Sequence, residues 1–69
     1  MIKFKIDILQ MLKESGYNTN YLRKNKILSE STIQKIRNGD TSLTLKNLDV
    51  ICSMLEMQPG DVVEFIEKE

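Results

Sequence analysis

Histidine and tryptophan are absent from this 69-residue chain, cysteine and proline occur once each, and glycine occurs three times. Each scarcity excludes something. Without histidine, and with a single cysteine, the chain has too few ligands of the usual kind for a zinc site. The same gap removes the commonest general base, and no nucleophile stands beside another base. There is no glycine-rich phosphate loop, and the chain is too small to enclose a substrate pocket. The expectation is a protein that is not an enzyme and needs no metal or cofactor. Cys52 has no partner for an internal disulfide, which fits a reducing cytosol. Lying in an apolar stripe, it reads as a small core residue rather than a redox group. No apolar run approaches the length of a membrane span, and no signal-peptide pattern is present. A cytoplasmic protein is expected.

Apolar residues make up 41% and charged residues 29%, the mixture of a folded domain. Residues 1–69 are read as one domain, near the lower size limit for unaided folding. Net charge is zero, but its distribution is not even. Residues 1–38 carry eight basic and three acidic side chains, and residues 39–69 carry two basic and seven acidic. The two parts therefore hold +5 and −5, so one pole attracts phosphate and the other repels it.

A local code recurs along the chain: an apolar residue, a capping residue, then an apolar residue four positions after the cap. It appears as Tyr17-Asn18 with Leu22, Leu28-Ser29 with Ile33, and Leu43-Thr44 with Leu48. A looser version is Met57-Gln58, with Pro59 at the first helical position and then Asp61 and Val62. This pattern fixes how a chain enters a helix. It predicts helices over 19–25, 30–38, 45–56 and 59–66. Ahead of them, Phe4, Ile8, Leu9, Met11 and Leu12 form a helical stripe closed by Gly16. Leu45, Leu48, Ile51, Cys52 and Leu55 form another. Ile2, Phe4 and Ile6 alternate, so Met1–Lys5 also reads as a short strand. The fold class expected is all-α, with five helices joined by short loops.

Residues 28–39 carry the most information. Ser29 is a good N-cap and Asn38-Gly39 a good stop. Between them only Ile33 and Ile36 are apolar, and Ser31, Gln34, Lys35 and Asn38 share the other side. So narrow a stripe contributes little to a core. A helix delimited at both ends yet polar outside is one that the domain holds up for something else. Its Ser, Gln, Lys and Asn side chains are of the kinds that bond base edges and phosphates.

The stretch from Gly16 to Gly39, with Leu22, Ser29, Thr32, Ile33, Ile36 and Asn38, resembles the Cro/cI-type (XRE-like) helix-turn-helix domain of the lambda-repressor-like DNA-binding family. The apolar series from Leu45 to Leu55 and the ending Gln58-Pro59-Gly60-Asp61-Val62-Val63-Glu64-Phe65-Ile66 are similar to a short branch of the same family. The resemblance implies a compact five-helix bundle, with helices 2 and 3 forming the helix-turn-helix. It also implies that residues 30–38 enter the major groove of duplex DNA. Glu30, Ser31, Gln34 and Lys35 then become candidate base readers, and Thr19, Thr32, Arg37, Asn38, Lys24 and Lys26 candidate phosphate contacts. Three positions depart from the family pattern. Arg23 stands where a small residue is usual, Ile27 where Gly is usual, and Thr19 where a Gln commonly begins the helix. Arg23 is expected to lay its stem on its neighbour and send its head to solvent.

One recognition helix reads too little sequence to select a genomic site, so a homodimer is expected. Val62, Val63, Phe65 and Ile66 are the candidate surface, joined by an extended edge from Met1–Lys5. The function implied is a sequence-specific transcriptional regulator, a repressor in the leading reading, with no small-molecule ligand and no membrane partner. The competing reading is a protein-interaction module, an antitoxin or anti-regulator on the same fold.

Overall fold

The structure is a computed structural model that describes residues 1–67; Lys68 and Glu69, which enter the charge count, lie outside them. The elements run β1 (Ile2–Phe4), α1 (Ile8–Glu14), α2 (Thr19–Lys24), α3 (Glu30–Arg37), α4 (Leu45–Leu55), α5 (Pro59–Val62) and β2 (Val63–Phe65). None of the described helices is long and apolar enough to cross a membrane.

Side-chain caps start the first four helices. The side-chain oxygens of Asp7, Asn18, Ser29 and Thr44 accept from the N–H groups of Gln10, Tyr21, Thr32 and Asn47. Each pairing satisfies one amide that the first helical turn leaves free. Gln58 opens α5 in a capping box with Asp61, followed by Pro59. The same four helices end alike. A residue in the left-handed region, Gly16, Lys26, Gly39 or Glu56, turns the chain. The next N–H then donates five residues back: Tyr17 to Leu12 at 2.8 Å, Ile27 to Leu22 at 2.9 Å, Asp40 to Lys35 at 2.8 Å and Met57 to Cys52 at 3.0 Å. In three cases this residue is apolar and packs on the core, as such turns favour. One helix therefore stops only a few residues before the next begins.

Every helix contributes to the core. Ile8, Leu12, Leu22, Leu28, Ile33, Ile36, Ile51 and Val62 are buried together. Burying each such aliphatic side chain stabilises the fold by about 1.5–3 kcal/mol. Thr32 is the one buried polar residue among the described residues. α1 packs against α3 and α4, and α4 against α5.

Residues 1–6 and 63–66 change the expected picture. β1 and β2 pair antiparallel, with Ile2 opposite Phe65, Lys3 opposite Glu64 and Phe4 opposite Val63. The fold is thus helix-rich with a small ribbon, which corrects the all-α expectation. The helix expected over 59–66 ends at Val62, because Val63–Phe65 finds a strand partner and alternating side chains suit a pleat better than another helical turn. Phe4, expected in the first helical stripe, belongs to β1, and Asp7 starts α1 instead. Leu45, expected in the apolar stripe of its helix, is 83% exposed. It is the first residue of α4, directly after the capping Thr44.

Candidate nucleic-acid interface

The connection 25–29 closes α2 and opens α3 within five residues. Lys26 occupies its left-handed position, one residue before Ile27. Leu28 and Leu22 are buried beneath it, and Ile33 and Ile36 press α3 onto the same core. Thr32 locks this placement. Its Oγ1 accepts from Ser29 Oγ at 2.9 Å and from Asn47 Nδ2 at 3.4 Å, tying α3 to α4. Thr32, a candidate phosphate contact, is buried at the start of α3, and its Oγ1 accepts both of these bonds.

The other side of α3 is open. Glu30, Ser31, Gln34, Arg37 and Asn38 are exposed, and Lys35 is half-buried. Ser31 Oγ lies 3.1 Å from the capping Ser29 Oγ. Lys35 Nζ donates to the Ser42 carbonyl oxygen at 3.4 Å, in the loop after α3. Asp40 in that loop accepts from the Ser42 N–H at 2.9 Å. Hydrogen bonds from Ser42, aided by the charge of Lys35, hold its carboxyl below the ordinary value of 3.8.

Glu30 is tethered on both sides. Arg23 Nη1 donates to Glu30 Oε2 at 2.7 Å, the one ion pair among the described residues. Gln34 Nε2 donates to Glu30 Oε1 at 3.5 Å, one turn along the helix. The hydrogen bond from Arg23 is the main reason that the Glu30 carboxyl sits below its ordinary value of 4.5, with Gln34 and the charge of Arg37 adding to it. Arg23 thus sends its head to solvent, as its length requires, but the head has a partner there.

The candidate phosphate residues fall on two flanks of α3. Thr19 and Arg37 line one hollow between α1, α2 and the end of α3, together with Lys13. Lys26 lines another at the start of α3, with Arg23, Ser29 and Glu30. Lys24 and Asn38 are exposed, Lys24 at the end of α2 and Asn38 as the closing residue of α3. Lys13, in the last turn of α1, was not singled out in the sequence, and it lines the same hollow as Thr19 and Arg37. Its place beside Arg37 depends on how α1 packs against α3.

Two short helices joined by a capped turn, the second carrying a polar outer side, define a helix-turn-helix DNA-binding domain. A family model described as the Cro/C1-type HTH DNA-binding domain matches residues 7–68, and the chain belongs to that family. It is accordingly a DNA-binding regulator. The match begins at Asp7, the cap of α1, so β1 precedes it. No curated protein and no solved structure matches the chain.

Proposed function

We propose that the chain is a sequence-specific transcriptional repressor of the cytoplasm, without catalytic activity, that binds operator DNA as a homodimer. In this reading the helices form a lambda-repressor-like bundle, and α3 lies in the major groove. Ser31, Gln34 and Lys35 read base edges. Lys35 donates to guanine O6 and N7, and Gln34 pairs with adenine. Thr19, Arg37, Asn38, Lys24 and Lys26 hold phosphates, and Lys13 joins them. The observation that carries this is the outer side of α3: polar, exposed, and rigidly mounted through Ser29, Thr32 and Asn47.

The dimer contact is the ribbon. Phe65 is 71% exposed and Ile2 47%, directly opposite each other across the strands. Met1 and Ile66 add exposed apolar area beside them. Val63 is half-buried against the core, and Val62 is completely buried in the monomer, so Val62 leaves the candidate surface. The same exposed apolar residues are what favours the second reading, a module that binds another protein.

Selection of bound sites from a random duplex pool, followed by titration of the best site against salt, separates the two. A repressor enriches a palindrome whose half-sites lie about 34 Å apart, and its affinity falls by orders of magnitude between about 50 and 200 mM salt. An interaction module enriches nothing. Repression itself is read from a reporter carrying the enriched site.

A further inference from the structure

We infer that Arg23, on the helix before the recognition helix, is a positioning residue for base reading: through Glu30 it fixes the side-chain amide of Gln34. The inference rests on α3 as the base-reading element. Its geometry is a chain of two bonds across two helices. Arg23 Nη1 holds one carboxylate oxygen of Glu30 at 2.7 Å, and Gln34 Nε2 donates to the other at 3.5 Å.

Two consequences follow from elementary chemistry. An ionised carboxylate only accepts, so the amide of Gln34 must turn its NH2 toward Glu30. The flipped amide would set its carbonyl oxygen against a carboxylate. With the flip disfavoured, Gln34 keeps its oxygen and its second N–H for the groove. That is the acceptor-and-donor pair that adenine N6–H and N7 require. The second consequence is electrostatic. Glu30 stands at the leading end of α3, where a bare carboxylate would be pushed away by the DNA backbone. The Arg23 guanidinium neutralises it and keeps it beside Gln34.

Structural support alone is a weak explanation for this pair. The side chains of Arg23 and Glu30 are 43% and 53% exposed, and ion pairs so wet contribute little to stability. Nor is Arg23 needed to close α2, since the backbone bond from Ile27 to Leu22 does that. What the pair does is connect a residue that touches no base to one that does.

Site selection with the wild type, Gln34→Ala and Arg23→Gln tests the inference. Gln34→Ala identifies the base position that Gln34 reads, as the one whose preference is lost. Arg23→Gln is expected to lower discrimination at that same position about fivefold or more, and to spare the positions that Lys35→Ala or Ser31→Ala affects. Arg23→Lys, which keeps the charge, is expected to restore part of it. Equal weakening on all sequences, or loss at a different position, overturns the inference and leaves Arg23 as a source of general attraction. A free-protein measurement needs no DNA. The side-chain amide resonances of Gln34 are expected to move in Arg23→Gln, a remote change, with the melting temperature nearly unchanged. Resonances that stay in place overturn the coupling itself, whereas a wild-type chain that enriches no site defeats the DNA-reading proposal.

Discussion

Lys35 rests its ammonium against the Ser42 carbonyl at 3.4 Å, a long bond that a guanine edge easily replaces. Lys35→Ala is expected to cost about 1–3 kcal/mol at one base-pair position and to relax preference there, as read by binding to a panel of substituted sites. Asp40, next to it, has its folded pKa lowered by Ser42 and Lys35. A lowered value means that its contribution to stability is complete well above the ordinary 3.8 and is lost as pH falls through the folded value. Thermal melts between neutral and acid pH are therefore expected to show a flatter acid limb for Asp40→Asn than for the wild type. Cys52 goes the other way. Burial, with Asp49 and Asp61 nearby, raises its thiol above the ordinary 9.0. Alkylation at mildly alkaline pH is expected to be slow in the folded chain and to accelerate in urea.

Among the elements, the capped starts at Asn18, Ser29 and Thr44 were the legible part, and the reason is locality. Asn18, Ser29 and Thr44 each cap through a bond to the third residue ahead, so the sequence within one turn contains the whole interaction. β2 was illegible for the opposite reason. Val63–Phe65 is a strand because Ile2–Phe4 lies beside it, and no window around Val63 contains that fact. The tether from Arg23 to Glu30 was hidden similarly: the side chains were noticed singly, but their meeting depends on the angle between α2 and α3. Glu56 shows where an element is not optimal. It holds φ 54 at the end of α4 and places a negative charge near the helix carbonyls. Glu56→Gly is expected to stabilise the domain by about 1 kcal/mol in urea unfolding, and Glu56→Ala by less, because alanine removes only the charge.

At the scale of the whole molecule, the basic side chains around α3 and the exposed apolar residues of the ribbon occupy different elements. Arg23, Lys24, Lys26, Lys35 and Arg37 lie on and between α2 and α3, and the exposed apolar residues Met1, Ile2, Phe65 and Ile66 lie at the ribbon. Phe65→Asp is expected to shift self-association toward the monomer in sedimentation, leaving the helices folded, and to weaken binding to a palindrome far more than to a single half-site. The ribbon also has a timetable. Its strands come from distant parts of the sequence, Met1 N–H bonding the Ile66 carbonyl across 65 positions. β1 has no strand partner until residues 63–65 have been made. In a growing chain the ribbon closes only after every described helix has been synthesised, because β2 follows α5.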